Sequence, residues 1–141
     1  MKTNWKALIL TTPKIPELGE RDMTVTYNDG FTFVVTSQPN IVAVNVVFRL
    51  DIPFTWPKRE RFTEKDIEAL AELVADKPVS NGLLFSDIWK RRQRAAIVSL
   101  EEGVLKHFHH GRICLIGDAA HKVSCTKIFP RPAKTVCSAH T

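Results

Sequence analysis

Between residues 23 and 50 apolar and polar positions alternate with the two-residue period of half-buried strands, and turn chemistry interrupts the alternation twice. Segments 23–27 and 31–35 flank Asn28-Asp29-Gly30, which predicts a hairpin with a short glycine-containing loop. Ser37-Gln38-Pro39-Asn40 makes the next turn, and the β-branched, aromatic-rich run 41–50 continues the antiparallel meander as a third strand. A loop with Pro53 and Pro57 follows over 51–61. The period then changes. Ile67, Leu70, Ala71 and Val74 recur at helical spacing behind Thr63, with Asp66 placed to complete a capping box, so 64–75 is expected to be an amphipathic helix that Lys77-Pro78 stops.

Residues 85–92 read as a further short helix with Ile88 and Trp89 inward, and 95–100 as a strand. The run 113–116 is apolar throughout and bounded by Gly111 and Gly117, a pattern that suits a strand buried on both faces of a parallel sheet. Residues 1–22 carry Pro13, Pro16 and Gly19 and are expected to be irregular. The expected fold class is α+β. Residues 23–100 form an antiparallel sheet with a packed helix, 101–122 begin a strand–helix unit, and 123–141 form an unstructured tail.

Composition narrows the reading. A chain of 141 residues, 44% hydrophobic and 25% charged, has the make-up of one globular domain. The net charge of +5 leans towards anionic partners, but 15 acidic residues are interspersed with the 20 basic ones, so a solvated mixed surface is expected and no nucleic-acid partner. The densest basic run, Trp89-Lys90-Arg91-Arg92-Gln93-Arg94, reads as an inward tryptophan beside solvated cations. Three cysteines make no disulfide framework and point to reduced thiols inside the cell. The run Ala7-Leu8-Ile9-Leu10 is too short for a signal-peptide core or a membrane span, so the default compartment is the cytoplasm. His121, Cys125, Cys137 and His140 have spacings near those of zinc ligands, yet the segment between them lacks a strand–helix pattern, and no metal is expected. His107, His109 and His110 read as polar loop residues before the last strand.

The chemistry concentrates where the apolar run ends in Gly117-Asp118 and Ala119-Ala120-His121 begins. Glycine lets a ligand approach the backbone, and a helix N-terminus offers unpaired N–H groups to a phosphate. A carboxylate at that mouth can accept hydrogen bonds from sugar hydroxyls. An aspartate that simply caps a helix is the rival reading.

Gly111-Arg112-Ile113-Cys114-Leu115-Ile116-Gly117-Asp118-Ala119-Ala120-His121 resembles the second flavin motif of single-component FAD monooxygenases with the aromatic-hydroxylase fold. Tyr27-Asn28-Asp29-Gly30-Phe31, Arg61-Phe62-Thr63, Asp87-Ile88-Trp89-Lys90-Arg91-Arg92 and the stretch 100–107 resemble, in the same order, the fungal branch that epoxidises or hydroxylates terpenoid intermediates. The resemblance runs from about residue 19 to residue 122. It implies FAD as cofactor, with Asp118 on the ribityl chain, Gly117 permitting that approach, and Ala119 and Ala120 opening a helix aimed at the pyrophosphate. It also implies NADPH as reductant, dioxygen as co-substrate, a small apolar or aromatic substrate, and a sheet that floors the pocket over the flavin ring. No catalytic side chain is assigned, since the oxygen chemistry belongs to the flavin.

The sequence departs from that family in two places. It contains no G-x-G-x-x-G, and after Lys122 the expected glycine-rich turn into a long helix is replaced by a stretch with Pro130 and Pro132. Similarity and periodicity both stop at Lys122, so 123–141 reads as translated intron or frameshift and Met1 as an internal start, which transcript sequencing across that codon tests. A strand lacking parallel neighbours would leave the isolated chain marginally stable and weak for FAD. A noncatalytic remnant that pairs through an exposed strand edge, or a basic nucleic-acid-binding domain, are the alternative readings.

Overall fold

The computed structural model describes residues 1–122 and 136–139. Their elements run β1 (Lys2–Pro13), β2 (Met23–Tyr27), β3 (Phe31–Ser37), β4 (Ile41–Thr55), α1 (Glu64–Leu73), β5 (Pro78–Ser80) and β6 (Leu83–Leu84). There follow α2 (Phe85–Lys90), β7 (Arg94–Val104), β8 (His109–His110), β9 (Ile113–Cys114), β10 (His121–Lys122) and β11 (Val136–Ala139). One sheet dominates, in the order β10-β7-β1-β4-β3-β2-β11, and every pairing in it is antiparallel.

Alternation builds the core. Leu8 and Leu10 of β1 lie opposite Val46 and Val44 of β4, which lie in turn opposite Phe33 and Val35 of β3. These side chains are fully buried on one face of the sheet. α1 and α2 pack there through Ile67, Ala71, Phe85 and Ile88. Each large apolar side chain taken wholly out of water contributes about 1.5–3 kcal/mol, so this face holds the fold together. Two polar positions on it are satisfied within the protein: the Thr26 hydroxyl donates to the Val79 carbonyl at 2.7 Å, and the Ser37 hydroxyl donates to the Leu18 carbonyl at 3.3 Å.

The expected hairpin, third strand and both helices are present, and the α+β class stands as a mostly antiparallel sheet with few helices. α1 ends at Leu73 rather than at 75, where Val74 leaves helical geometry. The Asp66 carboxylate accepts from both the backbone N–H and the hydroxyl of Thr63, each at 2.7 Å.

Five expectations are corrected. The segment taken as irregular contains β1, paired on both sides, by β4 and β7. Its Pro13 falls at the strand's last position and Pro16 opens a 3-10 turn, so neither proline interrupts a ladder. β4 extends through Pro53 to Thr55, beyond a register irregularity between Thr3 and Trp5 of its partner β1. The apolar run 113–116 supplies only the two-residue β9, paired antiparallel with β8, and Ile113 and Ile116 are 68% and 81% exposed. The expected α-helix at Ala119-Ala120 is a 3-10 turn over Gly117–Ala119, and the chain goes directly into β10 at the edge of the large sheet. Of the tail expected to be unstructured, Val136–Ala139 pairs with β2. The rest of 123–141 lies outside the described residues.

Candidate functional site

The flavin-motif loop leaves β7, turns back through β8 and β9, and rejoins β7 through β10, where Lys122 lies opposite Gly103. A hydrogen bond from the Leu105 N–H to the Ala120 carbonyl, at 3.0 Å, closes its base. Ala120 is buried there, whereas Gly117, Asp118 and Ala119 are exposed. Gly117 has φ +59°, and a side chain added at it would meet nothing within 4 Å. The glycine therefore serves backbone direction and leaves open space above the turn. The Asp118 carboxylate has no hydrogen-bond or ion-pair partner among the described residues, so all its acceptor capacity faces solvent or a ligand. Room and a free carboxylate suit the hydroxyls of a ribityl chain. The pyrophosphate half of the expectation lacks its helix here, because one 3-10 turn does not align the N–H groups that a phosphate site uses.

The second face of the large sheet, expected to floor a pocket, is the other candidate surface. Alternation puts Asn45 on it, between the buried Val44 and Val46. One row across this face reads Ala96, Ile9, Asn45, Val34 and Val25, and the next reads Val98, Ala7, Val47, Thr32 and Tyr27. α1 and α2 lie on the opposite side. The face around Asn45 is thus largely apolar towards Val47, with Ala7 and Val47 buried, and more polar on the other side, where the row reads Arg94, Thr11, Ala43, Thr36 and Met23. The Asn45 amide has no hydrogen-bond partner among the described residues.

At the end of β7 nearest the motif, Glu102 is 5% exposed and accepts a hydrogen bond of 2.8 Å from the Asn4 side-chain amide. The sequence reading passed over Asn45 and Glu102. A lone amide inside Val44-Asn45-Val46-Val47 is a legible signal for the first. The second had no signal short of the pairing of β1 with β7.

The remaining candidates fall elsewhere. Arg92 lies 3.9 Å above the Trp89 ring and its Nη2 is 2.8 Å from Glu68, so this member of the basic run is engaged within the fold. Trp89 is half-buried, stacked on Phe85. Lys6, Glu60, Arg61, Phe62 and Asp66 line an open groove of about 400 Å³ beside α1, on the helix side of the sheet and of mixed charge. Among the described residues no group of three histidine, cysteine or acidic side chains could hold a metal ion. His121 is exposed on β10, and Cys125 and His140 lie outside the described residues. No described helix is long and apolar enough to cross a membrane.

An antiparallel sheet carrying a Gly-Asp turn at its edge is an arrangement suited to part of a flavoprotein. The chain belongs to the FAD binding domain family, which matches residues 2–127. It is 44% identical over 126 residues to the FAD-dependent monooxygenase DEP2 of Alternaria brassicicola, a match covering 88% of this chain and 24% of that protein. DEP2 of Fusarium langsethiae is 41% identical over the same shares of the two chains. The FAD-dependent monooxygenase dpfgE of Gibberella zeae is 37% identical over 76% of this chain and 23% of its own. The chain thus spans about a quarter of the length of these relatives. The solved structure of tetracycline destructase Tet(51) covers 86% of this chain and 33% of its own at 18% identity and TM-score 0.44, a likeness too slight to transfer geometry.

Proposed function

We propose that this chain serves FAD-dependent monooxygenation, the hydroxylation or epoxidation of a terpenoid or aromatic secondary metabolite with NADPH as reductant and dioxygen as oxidant. The observation that carries this reading is the family match, whose span, residues 2–127, includes Gly117 and Asp118. FAD, when bound, supplies the redox chemistry. The chain's own residues bind, orient and exclude water. Asp118 accepts hydrogen bonds from ribityl hydroxyls and Gly117 admits the cofactor to the backbone, while Ala119 and the buried Ala120 close the turn that presents them. The second face of the sheet floors the substrate pocket and keeps it dry, which strengthens every polar contact inside. No side chain is required as a general base.

The 141-residue chain alone is expected to bind FAD weakly and to purify without it. The full reading is tested by replacing the corresponding segment of the Alternaria brassicicola DEP2 with residues 2–127 of this chain. A chimera that retains flavin and oxidises NADPH in a substrate- and dioxygen-dependent way supports the proposal. A folded chimera devoid of flavin overturns it.

A further inference from the structure

We infer that Asn45 is a specificity residue whose side-chain amide hydrogen-bonds the one oxygen function of a flat, largely apolar substrate. The inference rests on the proposed use of the second sheet face as the pocket floor. β4 is the central strand of the sheet, and Asn45 is near the middle of the floor. Its cross-strand neighbours are Ile9 and Val34, and its neighbours along the strand on the same face are Ala43 and Val47. The amide is half-buried with no partner among the described residues.

A polar group in that setting loses part of its hydration and gains nothing from the protein, so it weakens the strand unless something else uses it. The flanking positions are valine, and valine at 45 would continue the ladder without that loss. The same-face neighbours Ala7 and Ala43 carry only a methyl group each and so set no bulky side chain beside the amide, which suits a planar body lying on the sheet. An amide carries two donors and an acceptor, so it recognises a carbonyl or a hydroxyl and rejects a bare hydrocarbon.

The test uses the full 141-residue chain, monitored by thermal melting, with 5α-androstan-3-one and 5α-androstane as probes in equilibrium dialysis. The two share one ring system and differ by a single carbonyl. The wild type is expected to bind the ketone about tenfold more tightly, as one net hydrogen bond of about 1.4 kcal/mol provides. Asn45→Leu is expected to lose the preference for the ketone and to bind the hydrocarbon at least as tightly as the ketone, because the carbonyl then gives up water with no partner. If the larger side chain lowers the melting temperature, Asn45→Ala replaces it and is expected to lose the same preference. A variant that keeps the preference for the ketone overturns the inference, as does a wild type that shows none or binds neither probe. These outcomes are separate from loss of flavin in the chimera, which bears on the monooxygenase reading alone.

Discussion

Phe33 in β3 and Phe85 at the start of α2 stack with ring centroids 5.6 Å apart and planes 19° from parallel, both fully buried. The pair joins the sheet to its helical layer, and Phe31 and Trp89 extend the row at either end, with centroids 5.3 Å and 5.9 Å from their neighbours. Phe85→Ala removes the central ring and leaves a cavity between rigid neighbours. We expect a loss of about 3–5 kcal/mol, read as a lower urea midpoint.

Asp66 titrates in a direction that acid unfolding can follow. The hydrogen bond from the Thr63 backbone N–H, then that from the Thr63 hydroxyl, hold its carboxyl below the usual carboxylate range, and Lys6 adds attraction. Glu20 is held low by Lys14 and Asp76 by Lys77. In each case the unfolded chain binds the proton more tightly than the folded one. The stabilisation is therefore complete above the ordinary carboxylate value of about 4 and disappears as pH falls through the lowered folded value. The urea midpoints of wild type and Asp66→Asn are expected to differ at neutral pH and to converge as the pH falls through the lowered folded value of Asp66. A gap that stays constant across the titration would contradict this.

Asp118 and Gly117 separate ligand chemistry from stability. Asp118 is exposed and unpartnered among the described residues, so Asp118→Ala is expected to change stability by less than about 0.5 kcal/mol while weakening flavin binding in the chimera at least tenfold. Gly117→Ala meets no steric contact but forces a side chain into φ +59°, at about 1–2 kcal/mol. Gly117→Asn, better suited to that conformation, should recover part of the loss in the same melting experiment.

Arg92→Ala removes the guanidinium over Trp89, its hydrogen bond to the Trp89 carbonyl at 3.2 Å and the contact with Glu68. Each is solvent-accessible, so the combined loss is expected to stay below about 1.5 kcal/mol. Added salt screens the ion pair and not the ring contact, so a part of the loss is expected to survive in molar sodium chloride. A loss erased by salt would show that the ring contact contributes nothing.

The legible parts of the fold were those in which one local signal suffices. Asn28-Asp29-Gly30 between alternating runs marks β2 and β3, and Thr63 with Asp66 marks the start of α1. β1 is hidden behind Pro13, Pro16 and Gly19, which punctuate only its end and the turn after it, and its security comes from β4 and β7, both distant in sequence. The run 113–116 was misread for the opposite reason. Apolar character says that a segment favours burial but does not say against what, and Ile113 and Ile116 stand in solvent here. At the candidate site, Gly117 and Asp118 were found through their motif. Asn45 needed the sheet register, because its meaning lies in the apolar rows beside it.

β1 precedes both of its partners in the chain and is completed only by the later one. Lys2 lies opposite Thr55 on one side and Glu102 on the other, so its two edges are filled by segments that leave the ribosome at widely separated times. Synthesis proceeds at about 5–20 residues per second, and until Arg94–Val104 emerges the strand holding Ala7, Leu8 and Leu10 keeps one row of backbone groups unpaired. Slowed translation between β4 and β7 would lengthen that interval. Holdase chaperones that shield short apolar strands would find their target in β1 during that interval.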